Sequence, residues 1–230
     1  MSRQQTARLA GALYLAMGLP GAFALISIPK LFLVPGDATA TASRIAAAQG
    51  LYRFGVFADM ICAIFAVWMV MVLYDLFKDV DRGQARLMVG FALGMVAIGL
   101  VNTVLMAGPL VLTSGSGYLS AFDKHQLDAL TLGFLGLRSQ GIHVATMYWG
   151  LWLLPLGILV YKSGFLPRVL GVLVLIAGCS YVVDSMAYYF LPEYARTIAN
   201  VSTLPQGAGE IGLSGWLLIK GAKTGGAEAS

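Results

Sequence analysis

Charge is what this sequence has least of. Of its 230 residues only 11% are Asp, Glu, Lys or Arg, against roughly 25% in ordinary soluble domains. So little charge points away from a water-facing globule and toward a membrane protein. Histidine is nearly missing too: with only His125 and His143 in the chain, a three-histidine metal centre is excluded. The two cysteines, Cys62 and Cys179, both fall in apolar stretches. Counted from the basic ends of those stretches they sit at depths of ~24 and ~16 Å. No disulfide is expected, and we read both as buried, inert thiols. The net charge of +4 is dispersed and no Lys/Arg run occurs, so a nucleic-acid partner is excluded. No G-x-S-x-G, Walker or Rossmann pattern is present, and no cofactor is expected. The lysines lie outside the apolar stretches or at their ends, which argues against a buried Schiff-base lysine. Asp123-Lys124-His125-Gln126-Leu127-Asp128 has metal-capable atoms at irregular spacing and is not read as a metal site.

What fills the chain instead is apolar sequence: 58% of residues are hydrophobic and the mean hydropathy is +0.79. About 20 apolar residues cross a hydrocarbon core of about 30 Å. Runs of that kind place spans at about 9–28, 51–77, 87–112, 141–161, 165–190 and a shorter one at 206–219. The first also resembles a secretory signal with Ala22-Phe23-Ala24 as cleavage site; because the apolar run continues past it, we read an uncleaved span. Asp37 or Thr39 is placed to cap a short helix in the polar stretch before the second span. Ser120 with Asp123 makes a capping-box pattern opening an interfacial helix over 122–137. A polar loop is expected over 192–205. The fold class that follows is all-α: a polytopic, six-transmembrane-helix bundle with short interfacial helices on the extracytoplasmic side. It forms one domain over 1–220, with a disordered cytoplasmic tail at 221–230.

Orientation follows from the Lys/Arg bias. Nine basic residues (Arg3, Arg8, Lys78, Arg82, Arg86, Lys162, Arg168, Lys220 and Lys223) fall on one side and six on the other. Both termini are therefore expected to be cytoplasmic, in a bacterial inner membrane. The start of the first span also echoes the fifth. Arg8, Gly11, Leu13, Leu15 and Gly18 have the spacing of Arg168, Gly171, Leu173, Leu175 and Gly178, so a parallel repeat of span pairs is one reading. The other is that such glycines recur by general membrane packing.

Ionisable and strongly polar residues inside spans are costly and therefore informative. At 1.5 Å per residue, Asp59 and His143 lie ~28 Å from their basic span ends, Asn102 and Asp184 ~24 Å, and Glu210 ~15 Å. The first four fall in the outer quarter of the bilayer and Glu210 near the middle. With Arg53 they form the candidate polar cluster: Arg53, Asp59, Asn102, His143, Asp184 and Glu210. Each also has a plainer reading. Arg53 snorkels to water, Asp184 belongs to a structural ion pair, and His143 packs. Glu210 is protonated or hydrogen-bonded, which leaves proton binding open.

Several stretches are similar to one bacterial integral-membrane family, known as domain of unknown function 4386. They are ARLAGALYL, VPGDATATA, LYRFGVFADM, LSAFDKHQLDAL, SGFLPRVLGVLVLIAG and GEIGLSGWLLIKG. The resemblance implies six spans and the bacterial cytoplasmic membrane, and brings no assigned activity. Three readings of function stand in this order. The first is binding or transport of a small molecule through a polar cluster open to the outside. The second is a non-catalytic membrane scaffold. The third is a membrane-embedded enzyme acting on a lipid or quinone, with Asp59, His143 and Asp184 as acid/base or metal-binding groups. The lipid bilayer is the partner common to all three, and the composition sets no oligomeric state.

Overall fold

The computed structural model describes residues 1–223. Of the tail expected at 221–230, residues 224–230 lie outside the described residues. All regular structure among the described residues is helical. In chain order it comprises α1 (Arg3–Ala22), a π-helical turn (Phe23–Ser27), α2 (Ile28–Phe32), α3 (Ala38–Ala47) and α4 (Gln49–Phe77). Then come α5 (Arg82–Leu112), a 3-10 turn (Gly117–Ala121), α6 (Lys124–Lys162), α7 (Arg168–Phe190) and α8 (Pro192–Ile219).

Among the described residues five stretches are long and apolar enough to cross a membrane: Arg3–Phe32, Gln49–Phe77, Arg82–Leu112, Lys124–Lys162 and Arg168–Phe190. The outward-facing side chains agree, since Phe57, Ile64 and Trp68 of α4 are each more than half exposed. Water would penalise such a face and lipid does not. By length and composition this is a multi-pass membrane protein. At 28 residues α8 is long enough to be a sixth span, but it is too polar to join the five.

Three local expectations change. The separate helix at 122–137 and the span at 141–161 are one helix, α6, of 39 residues. Its cap is one register later than expected. Asp123 Oδ1 accepts from Gln126 N at 2.9 Å, and Asp123 N donates to Gln126 Oε1 at 2.9 Å. That reciprocal pair is a capping box, whereas Ser120 Oγ donates to Gly117 O. The loop expected at 192–205 is instead the first half of α8. Pro192 stands in its first turn, where a missing N–H costs nothing. Asp37 caps α3 as one of the two expected residues, accepting from Ala40 N at 2.8 Å.

The described residues divide into two compact units: residues 1–16, 65–96 and 143–223, and residues 17–64 and 97–142. In the first unit α6 and α7 meet through paired glycines. A Cβ on Gly150 would lie 2.6 Å from Gly178 O, and one on Gly171 would lie 2.8 Å from Gly157 O and 2.6 Å from Tyr161 N. Two glycines seven residues apart on each helix thus let antiparallel backbones touch. Gly11 of α1 does the same against Leu217 and Leu218 of α8. Gly11 and Gly171 of the sequence echo are therefore both close-contact positions, though against different helices. In the second unit Ile28, Phe32, Ile45, Tyr52 and Met106 form the core. Tyr52 meets Phe32 edge-on at 5.1 Å and donates its hydroxyl to Met106 O at 2.8 Å.

Candidate functional site

The second unit builds its polar site around a backbone defect. In the π-helical turn the N–H of Ile28 reaches back five residues to Phe23 O. The next N–H in that register would serve Ala24 O, but residue 29 is proline and has none. Ala24 O instead accepts from Arg138 Nη2 of α6 at 3.3 Å. Arg138 is only 6% exposed. The same Nη2 lies 4.0 Å from Asp59 Oδ2 of α4, at the outer limit of an ion pair. Asp59 Oδ2 also accepts from Thr103 Oγ1 of α5 at 2.8 Å. That hydroxyl lies 3.0 Å from Gly99 O as well, and with a single proton it serves one acceptor at a time.

Two buried atoms of this unit have no hydrogen-bond partner, Arg138 Nε and Asn102 Oδ1. Asn102 lies so close to Gly141 that a Cβ there would collide with Oδ1. Arg138 also contributes to the wall of a cavity of about 240 Å³, otherwise mostly apolar and including Ile28, Phe32, Tyr52, Met106 and Leu135. By liquid volume that is room for about eight waters.

The first unit arranges its polar groups differently. Both oxygens of Glu210 on α8 are taken: Oε2 accepts from Tyr14 of α1 at 2.7 Å and Oε1 from Tyr181 of α7 at 2.6 Å. Tyr14 packs against Trp152 at 6.0 Å and Tyr181 stands edge-on to Trp149 at 5.9 Å. One turn before Glu210, the buried Gln206 has its Nε2 without a partner. His143 of α6 stacks on Tyr188 of α7 with ring centres 3.5 Å apart, and its carbonyl accepts from Ser185 Oγ at 2.9 Å. Asp184 of α7 is half-buried.

Of the six expected residues, Asp59 and Asn102 thus belong to the second unit's polar group. His143, Asp184 and Glu210 belong to the first unit. Arg53 is exposed on α4. Cys62 and Cys179 are free thiols, and Cys179 is exposed rather than buried because its side of α7 faces outward. Among the described residues no three His, Cys, Asp or Glu side chains group as metal ligands.

A family model described as Domain of unknown function (DUF4386) matches residues 9–221. The chain belongs to this family. Another protein similar to this DUF4386 chain is an uncharacterized protein of Archaeoglobus fulgidus. It is 38% identical over 77 residues, or 34% of this chain, and the match spans 44% of that protein's own length. No solved structure matches the chain.

Four residues that shape the DUF4386 sites escape the cluster read from sequence: Tyr14, Thr103, Arg138 and Tyr181. Tyrosine in a span reads as an interfacial aromatic, and Arg138 falls between the interfacial helix read at 122–137 and the span read at 141–161. Proline at residue 29 was the one available signal, because it must orphan a carbonyl that some donor then satisfies.

Proposed function

We propose that this DUF4386 protein binds a small, mainly apolar molecule in the cavity of its second unit, with Arg138 as the polar anchor. The observation that carries this reading is a cavity of about 240 Å³ whose mostly apolar wall includes the buried Arg138. Apolar walls with a few placed polar groups are the ordinary make-up of a ligand site. The protein is placed in a bacterial cytoplasmic membrane with α8 as its sixth span and both termini cytoplasmic. Support comes from the Lys/Arg bias and from the packing of Gly209 against Leu173 and Ala177 of α7.

The test is uptake of radiolabelled heptane by protein reconstituted in nanodiscs, corrected for empty nanodiscs. Specific uptake that disappears when Leu135→Trp fills the cavity supports the reading. Absence of specific uptake, or uptake indifferent to Leu135→Trp, overturns it. The scaffold reading draws on the first unit, where Tyr14 and Tyr181 occupy both oxygens of Glu210. That reading expects Leu135→Trp to change neither uptake nor stability.

A further inference from the structure

We propose that the charged end of the first unit holds the phosphate of an anionic phospholipid headgroup, in a cleft walled by Arg3, Lys162 and Lys223. The proposal is independent of the second unit's cavity. Phe165, in the turn between α6 and α7, is where the helix ends of this unit meet. Its ring stacks on Phe77 at the end of α4 with centres 5.7 Å apart, and the Arg3 guanidinium of α1 lies 4.9 Å from its centre. Its carbonyl accepts from Lys223 N, just past α8, at 3.0 Å. Lys162 Nζ, at the end of α6, reaches Asp81 Oδ2, before α5, at 3.0 Å. All nine basic residues that set the orientation belong to these helix ends and the turns beside them. Only three acidic residues oppose them among the described residues: Asp75, Asp79 and Asp81.

A basic excess by itself serves topology. What topology leaves unexplained is a cleft of about 710 Å³ among these ends. Most of its polar wall is already used. Asp75 takes Lys78 at 2.7 Å and Lys162 is given to Asp81, while Thr6 Oγ1 donates to Ser2 O and Ser163 Oγ to Val160 O. Among the described residues Arg3 and Lys223 enter no ion pair, and Asp79 is the one acidic wall residue in the same position. The wall therefore has more positive than negative charge to offer. Arg3 makes no hydrogen bond among the described residues, so its N–H fork remains for an anion, and that geometry matches phosphate oxygens. Met1, Leu76, Val80 and Phe165 supply apolar surface in the same wall, which suits the glycerol ester behind a phosphate. The source is a lipid because the cleft lies where apolar spans end. A phospholipid carries its phosphate to that level by its own insertion, and basic pockets between helix ends are where such heads bind.

The experiment offers the full chain, in detergent, equal amounts of phosphatidylglycerol and phosphatidylcholine and counts bound lipid by native mass spectrometry. The salt is roughly 0.15 M ammonium acetate, at which exposed charges more than about 8 Å apart are largely screened. Phosphatidylglycerol should be retained in preference to phosphatidylcholine. Each basic residue beside an anionic head is worth about a factor of five, so Arg3→Gln/Lys223→Gln should weaken its binding roughly 25-fold. Arg82→Gln/Arg86→Gln removes two exposed charges from the same end but outside the cleft. With the field screened, that pair should weaken binding less than about threefold. The charge-keeping pair Arg3→Lys/Lys223→Arg should still bind. Equal losses from the two Gln pairs would mean a diffuse field and overturn the cleft, and loss in the charge-keeping pair would overturn the role of charge. Equal retention of the two lipids by the unaltered protein overturns the proposal. So does release of bound phosphatidylglycerol by millimolar inorganic phosphate, which would make the cleft a site for a free anion.

Discussion

If Arg138 serves both Asp59 and Ala24 O, removing it alone should hurt more than removing it together with Asp59. The single change Arg138→Met leaves the Asp59 carboxyl with only Thr103 and returns Ala24 O to its orphaned state. Breaking one side of a buried ion pair costs about 3–5 kcal/mol. The low end applies here, because the contact is 4.0 Å long and the Asp59 side chain is 20% exposed. The lost donor to Ala24 O adds about 1 kcal/mol, so the single variant should lose about 4 kcal/mol. In the double variant Arg138→Met/Asp59→Leu the unmatched charge is gone and only the carbonyl term remains, about 1–2 kcal/mol. The double should therefore be the more stable by about 2–3 kcal/mol. At 2–4 °C per kcal/mol for a chain of this size, that is a melting difference of roughly 4–12 °C. Tryptophan fluorescence during heating in detergent reads it directly. A double variant melting at or below the single would refute the coupling and with it the role given to Arg138.

The glycine contacts between α6 and α7 give a second test. Gly171→Ala should destabilise by about 1–3 kcal/mol through overpacking, whereas Gly90→Ala, with nothing within 4 Å of the added Cβ, should be neutral or stabilising by up to about 1 kcal/mol; equal melting temperatures would count against the packing. Glu210→Gln keeps an acceptor for one tyrosine and should accumulate in the membrane, but Glu210→Leu strands the hydroxyls of Tyr14 and Tyr181 and should cost about 2–4 kcal/mol, as measured by denaturant unfolding. Asp81, which caps α5, is held below the usual carboxylate range first by the N–H of Gln84 and then by Lys162. A depressed carboxyl stabilises the fold above its unfolded pKa of about 3.9 and loses that contribution as the pH falls through the folded value. Asp81→Ala should therefore flatten the acid limb of a melting-temperature profile and leave neutral and alkaline shapes alone; an unchanged acid limb would remove Asp81 from the account.

The spans that end in charge are the ones the sequence makes legible. The expected 51–77 and 165–190 differ from Gln49–Phe77 and Arg168–Phe190 by three residues or fewer, because Lys78 and Arg168 cannot be drawn far into hydrocarbon. The spans at 141–161 and 206–219 began too late for the opposite reason. Residues 124–140 and 192–205 are polar enough to read as surface, yet each continues helically into the apolar run behind it. Hydropathy records where lipid begins, and a helix does not stop there. Asp59, Asn102 and Glu210 stand out in sequence because each is an expensive residue in apolar surroundings. What composition cannot supply is the partner, since Tyr14 and Glu210 are 196 residues apart and Arg138 answers a backbone atom 114 residues away.

That last contact also explains why the functional reading settles on the second unit. In the first unit both oxygens of Glu210 are taken by tyrosine hydroxyls, so the costly group is already satisfied by the protein itself. The unpartnered Gln206 Nε2 beside it carries no charge. In the second unit proline at residue 29 removes a donor, Arg138 is brought in to replace it, and the replacement has more donors than the carbonyl and Asp59 can use. A buried lysine would have met Ala24 O with a compact ammonium; arginine's planar fork leaves a further N–H edge. Repair of a helix defect thus accounts for part of Arg138, and its place in the wall of a cavity is the part that repair does not explain.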